Sequence, residues 1–286
     1  MQLLDGKSLA KKIEDNVTLE AKELKNRTGN VPGLAVILVG HDPASQAYVG
    51  MKKKACDRAG FYSVTHEMPD DISQDAIIKT IEMMNDNPNI DGILIQLPLP
   101  SHIDTTKILE VVAPNKDVDG FHPYNVGRLA TGLDGFVPCT PLGVMHLLNE
   151  YNINPKGKDA VIVGASNIVG KPMAALLLNA NATVTVTHIH TKDLKAHTLN
   201  ADILLVGAGV INLIKEDMVK DGCIVIDIGI NRASDGRLVG DVDYDAVAPK
   251  TSYITPVPGG VGPMTIAMLL SNTLKAAQNH AKEHQS

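Results

Sequence analysis

The chain has 286 residues, a formal net charge of −6, 44% hydrophobic and 3% aromatic residues, and no tryptophan. That length suits two ordinary domains, and the aliphatic composition suits buried parallel strands and excludes bulk disorder. The acidic balance and the lack of a long basic stripe exclude bulk nucleic-acid binding, while leaving room for a small anion held by a local lysine cluster.

Apolar runs alternate with helical patterns from residue 34 onward. Leu34–Val39 reads as a buried strand and Ala44–Ala59 as a helix. Ser63–Glu67 is a short strand, and Gln74–Asn87 a helix. Gly92–Gln96 is a strand closed by Leu97-Pro98-Leu99-Pro100, which continues neither a helix nor a central strand. Ile103–Val112 reads as a helix. A second series has strands at Asp159–Val163, Thr183–Thr187, Ile203–Val206 and Cys223–Asp227. Its helices fall at Ile168–Asn179, Leu194–Leu199 and Lys215–Lys220. Met264 to Lys282 reads as one amphipathic helix. This alternation predicts an α/β protein with parallel sheets. The first domain spans 1–140 together with the C-terminal helix 264–286, which packs back across the domains. The second, 141–263, is Rossmann-like and binds a dinucleotide. The boundary falls near Thr140–Tyr151.

Cys56, Cys139 and Cys223 are far apart and form no C-x-x-C pair. Neither a disulfide framework nor a zinc site is expected, and a reducing compartment fits. Asp5 and Lys7 interrupt the N-terminus where a signal peptide needs an apolar core. No run approaches ~18 apolar residues. The expectation is a soluble cytoplasmic protein with no membrane segment.

The most informative stretch is Val163-Gly164-Ala165-Ser166-Asn167-Ile168-Val169-Gly170-Lys171-Pro172. A strand, a small-residue turn and a helix in that order bring backbone N–H groups and a helix N-terminus to an anion. The five residues between Gly164 and Gly170 are too many for a Walker A loop. Pro172 also stands where that loop needs a hydroxyl for Mg²⁺. The stretch therefore reads as a dinucleotide turn with Ser166 in place of the second glycine, or as a plain strand–helix connection.

Other segments carry candidate chemistry. Tyr48 and Lys52 share a helix face beyond the carboxyl end of Leu34–Val39, where open sheets bind ligands. A partly desolvated lysine beside a phenol can exchange protons near working pH. The same spacing also fits a solvated surface turn, and Lys53 and Lys54 read as surface charge. Gln96 ends a strand at the same sheet edge, as a ligand or as a cap of its own loop. In Asp117-Val118-Asp119-Gly120 one carboxylate is placed to hold a heterocycle's N–H groups, unless both serve the turn. His188 and His190, with His197 near, follow the second strand of the dinucleotide series. No carboxylate or thiol completes a metal set there, so a ribose or phosphate contact is the better reading. Ile230, in Asp227-Ile228-Gly229-Ile230-Asn231, lies where a nicotinamide would sit. Thr255 to Thr265 is a rigid Pro/Gly segment that lets backbone approach a flat ligand, unlike a flexible linker.

Together these segments resemble the bifunctional methylenetetrahydrofolate dehydrogenase/methenyltetrahydrofolate cyclohydrolase family nearly end to end. The resemblance rests on Tyr48-Val-Gly-Met-Lys52, Gln96-Leu-Pro-Leu-Pro100, Lys116-Asp-Val-Asp-Gly120, Gly164 to Pro172 and Pro256 to Thr265. It implies oxidation of 5,10-methylenetetrahydrofolate with NADP, then hydrolysis of the methenyl form to 10-formyltetrahydrofolate, in one cleft between the domains. Lys52 would be the general acid/base, with Tyr48 and Gln96 setting its position and pKa. Asp119 would hold the pterin, and Pro258 and Gly262 would line the folate cleft. Gly164, Ala165, Ser166, Ile230, His188 and His190 would contact the dinucleotide. The resemblance also implies a homodimer, with no metal.

One departure bears on the cofactor. Many family members carry Arg where this chain has Ala165, and a small polar or basic residue where it has Ile189. Those groups read the 2′-phosphate of NADP, so NAD stays open and His190 and Lys192 become the candidate charges. Two other functions fit parts of the pattern: a different two-domain dehydrogenase acting on a small acid, and a non-catalytic folate or nucleotide binder.

Overall fold

The computed structural model describes residues 1–283, which divide into two compact units. The three-stranded unit comprises Lys11–Arg128, Asp134–Cys139 and the residues from Ile266 onward. The six-stranded unit comprises Met1–Ala10, Leu129–Leu133 and Thr140–Thr265.

In the three-stranded unit, Gly33–Val39 lies between Tyr62–Met68 and Gly92–Ile95, parallel to both. Every residue of Gly33–Val39 is buried, as expected of a strand covered on both faces. Ile37 and Ile93 pack with Ile77, Ile81 and Ile108 from the neighbouring helices. Asp117 bridges to Ile93, so the Lys116–Gly120 segment continues the sheet edge. Helix Pro43–Ala59 follows the central strand at once. Asp42 caps it by accepting the Ser45 N–H at 2.8 Å, Pro43 occupies the first turn, and Gly60 ends it in the left-handed region. This geometry holds Tyr48 and Lys52 at the carboxyl end of the sheet.

The six-stranded sheet runs Gln2–Leu3, Tyr253–Ile254, Ile224–Asp227, Ile203–Val206, Asp159–Val163, Thr183–Thr187. All its strands are parallel. The strand order reverses around Asp159–Val163, whose neighbours are the next strand in sequence on one side and the one after on the other. That is the switch point where open α/β sheets bind ligands.

Several sequence expectations are corrected. Lys215–Lys220 holds only a single 3₁₀ turn, Glu216–Met218, because the flanking Lys215 and Val219 are already extended. The helix after the glycine turn begins at Gly170 rather than Ile168, since Ser166 to Val169 form the turn itself. The last helix begins at Val261 and takes Pro263 into its first turn, where proline costs no hydrogen bond. Cys139–Glu150, which the reading leaves unassigned, is a helix. The reading also leaves Gly6–Thr28 unassigned, although it is one helix with Val17, Ala21 and Leu24 buried at helical spacing. Among the described residues, no helix is long and apolar enough to cross a membrane.

Candidate active site

Lys52 is 8% exposed, which removes the solvated-surface reading, whereas Lys53 and Lys54 lie open to solvent. Its Nζ donates to Gln96 Oε1 at 3.0 Å and lies 5.7 Å from the centroid of the Tyr48 ring. Gln96 has two partners at once. Its Oε1 takes the lysine, and its Nε2 donates to the Leu97 carbonyl at 2.8 Å, which fixes the amide's orientation. Burial raises the Tyr48 phenol above its ordinary pKa, keeping it protonated.

The two carboxylates of the Asp117–Gly120 turn have separate duties. Asp117 is buried and accepts N–H groups from Phe121 at 3.2 Å, His122 at 2.9 Å and the Asn125 amide at 2.8 Å. It is the turn-former. Asp119 is half-buried and turned toward Lys52 and the Cys139 thiol. Burial raises its pKa, an effect opposed by the Lys52 charge and by the thiol hydrogen bond. Lys52, Gln96, Tyr48 and Asp119 thus form one constellation in the three-stranded unit: an amine held by an amide, with a carboxylate in its field. Such a group can move a proton and hold the N–H edge of a heterocycle.

The turn after Asp159–Val163 lies in the six-stranded unit. Gly164 has φ +118°, and a Cβ there would lie 2.3 Å from the Gly207 carbonyl oxygen of the next loop. A Cβ on Gly170 would lie 2.1 Å from the Gly164 carbonyl oxygen. Only glycine lets the turn close this tightly onto the helix. Ser166 Oγ accepts the Val169 N–H at 3.2 Å, and Ser166 and Asn167 face solvent at the helix N-terminus. This small, uncharged cradle with a helix dipole behind it fits a pyrophosphate. Ala165 stands inside it. His188 and His190 form an exposed turn in which Thr191 Oγ1 accepts the His188 N–H at 2.9 Å, and Ile189 between them is 93% exposed. Ile230 is exposed just after Ile224–Asp227. Pro258 and Gly262 belong to this unit as well, at the entry to helix Val261–Glu283.

Sequence reasoning missed the carboxylates that shape the loops around Ile230. Asp241 is fully buried and accepts the Ala208 N–H at 2.6 Å, the Gly209 N–H at 2.8 Å and the Asn231 amide at 2.8 Å. Asp227 accepts the N–H groups of Gly229 at 3.0 Å, Asp241 at 3.1 Å and Val242 at 2.9 Å. Burial pushes Asp227 up to about 6. No spacing signal marks the pair, which the fold brings together.

A profile of the tetrahydrofolate dehydrogenase/cyclohydrolase catalytic domain matches residues 4–119, and one of that family's NAD(P)-binding domain matches residues 138–281. The chain belongs to this family. The chain is 78% identical over 285 residues to the "Bifunctional protein FolD" of Sulfurimonas denitrificans, covering 100% of both chains. The crystal structure of the bifunctional FolD dehydrogenase/cyclohydrolase from Campylobacter jejuni is 56% identical, with a TM-score of 0.96 over 98% of this chain and 99% of that one. The Trypanosoma brucei enzyme, solved with NADP cofactor and an inhibitor, is 39% identical, with a TM-score of 0.93 over 96% of each chain. Membership decides against the small-acid dehydrogenase and the non-catalytic binder.

Proposed function

We propose that the protein oxidises 5,10-methylenetetrahydrofolate with NADP and hydrolyses the resulting methenyl form to 10-formyltetrahydrofolate, within one-carbon metabolism. The observation that carries the reading is the buried Lys52 amine held by Gln96 in the field of Asp119. NADP, when bound, supplies the hydride acceptor. Asp119 holds the pterin by accepting its N–H groups. Lys52 Nζ relays a proton away from water as the water oxygen bonds to the methenyl carbon. It returns that proton to the ring nitrogen as the carbon–nitrogen bond breaks, and the second water proton leaves to solvent as the formyl carbonyl forms. Gln96 keeps Nζ aimed through this exchange, and Tyr48 stays protonated beside it. Gly164, Ala165 and Ser166 cradle the pyrophosphate; Pro258 and Gly262 line the folate site; His188 and His190 lie at the adenosine ribose and Ile230 at the nicotinamide.

The finer assignments are a cytoplasmic homodimer in which the 1–140 segment with helix 264–286 serves folate and 141–263 serves the dinucleotide. An open sheet edge supports the dimer. Strand Thr183–Thr187 ends the six-stranded sheet, carries no charge, and reads Thr-Val-Thr-Val-Thr in either direction. Thr183 donates inward to the Lys158 carbonyl at 2.9 Å, so alternation turns the Val184 and Val186 backbone outward. Antiparallel pairing with a second copy about Thr185 would set Val184 opposite the partner's Val186.

The activity is tested by mixing the protein with 5,10-methylenetetrahydrofolate and NADP and following reduced cofactor and methenyl product. Cofactor reduction followed by methenyl decay supports the proposal; no reduction with NADP or NAD refutes it.

A further inference from the structure

Asp119 can hold a ligand only if its turn is fixed, and the group that fixes it comes from far along the chain. Asn272, on helix Val261–Glu283, is 5% exposed. Its amide donates to the Val118 carbonyl at 2.8 Å and to the Val137 carbonyl at 3.0 Å. The Val118 carbonyl belongs to the peptide plane that leads into Asp119, so pinning it fixes the direction in which the Asp119 side chain leaves the backbone. The Cys139 thiol donates to the same carbonyl at 3.5 Å, accepts from the Asn272 amide at 3.8 Å and stands beside the Asp119 carboxylate. Asp117 anchors the far end of the turn through backbone N–H groups and Asn125, with no link to Asn272.

The reason for an amide follows from the partners. Two buried carbonyls need two N–H groups from one short side chain, which Asn supplies and Asp, Leu or Ala does not. Without it, the Val137 carbonyl loses its side-chain donor and the Val118 carbonyl is left with the weak Cys139 thiol alone. The turn then gains freedom at the residue before Asp119, while the constellation of Lys52 and Gln96 is untouched.

We propose that Asn272 is a positioning residue for Asp119, with the Cys139 thiol as its second contact, and that the pair sets affinity for the folate rather than for the dinucleotide. The inference rests on the reading of Asp119 as the pterin-holding carboxylate. The test is calorimetric binding of tetrahydrofolate and of NADP to the wild type, Asn272→Ala, Cys139→Ala, Asp119→Ala and the two double variants. Asn272→Ala is expected to weaken tetrahydrofolate binding about tenfold, leave NADP binding within about twofold, and add nothing in the Asp119→Ala background. Cys139→Ala is expected to do the same by a smaller factor, and it carries the test if Asn272→Ala does not fold. Equal weakening of both ligands, or a full extra loss in the Asp119→Ala background, overturns the positioning role alone. Unchanged tetrahydrofolate binding in Asp119→Ala overturns the reading of Asp119 itself.

Discussion

Lys52 and Gln96 meet across 44 residues of sequence, the lysine Nζ donating to the amide Oε1 at 3.0 Å. The amide cannot rotate away, because its nitrogen is held by the Leu97 carbonyl. This relationship separates a proton-transfer group from a surface lysine. Gln96→Ala should therefore lower the cyclohydrolase rate by about tenfold to a hundredfold while leaving the melting temperature nearly unchanged, since Gln96 is only half-buried. Steady-state hydrolysis of methenyltetrahydrofolate, with a thermal melt alongside, checks both halves.

Gly170 packs its Cα against the turn that precedes it, with the Gly164 carbonyl oxygen 2.1 Å from where a Cβ would stand. Backbone has nowhere to yield. Gly170→Ala should cost at least about 2 kcal/mol of stability and raise the KM for NADP far more than that for the folate. Chemical denaturation and paired KM measurements read the two effects.

Asp227 gives a pH dependence opposite to that of most acidic groups. Its folded pKa is raised from 3.8 to about 6 by burial, so the native state binds the proton more tightly than the unfolded chain does. The stability it contributes is present below pH ~4 and falls as the pH rises to about 6, by about 3 kcal/mol in all. Asp227→Asn removes that titration. The difference in unfolding free energy between wild type and variant should shift in the variant's favour over that window, measured by urea unfolding at a series of pH values. Parallel curves would contradict the raised pKa.

Cofactor choice should depend on the loop after Thr183–Thr187. Ile189 is 93% exposed, so Ile189→Arg adds a guanidinium without disturbing the core. It should lower the KM for NADP by about tenfold and leave that for NAD unchanged. Replacing His190 and Lys192 together by Ala should do the reverse to NADP. Initial rates with the two cofactors at matched concentrations decide it.

The sheet edge makes a separate claim. Val186 is 37% exposed on the edge strand of the six-stranded sheet. Val186→Lys should convert the proposed dimer to a monomer with unchanged melting behaviour at high dilution, as seen by sedimentation velocity.

The two parallel sheets were legible because buried strands such as Leu34–Val39 and Ile203–Val206 are continuous apolar runs bounded by turns. The Lys52 site was legible as spacing, Tyr48 and Lys52 being one helical turn apart, but spacing could not say whether the lysine was buried. Helix Gly6–Thr28 carries its apolar residues at helical intervals, so its signal is in the sequence although the reading leaves it unassigned. The two-residue strands Gln2–Leu3 and Tyr253–Ile254 were not legible, because so short a run has no period. Asp241, Cys139 and Asn272 act through partners 10 to 154 positions away, and only the folded chain supplies those pairings.

The most direct test of the account is the hydrolysis of methenyltetrahydrofolate by Lys52→Met, a variant that fills the same volume without the amine. The account predicts loss of cyclohydrolase activity in a protein that still folds and still binds NADP. Hydrolysis at the wild-type rate would contradict it.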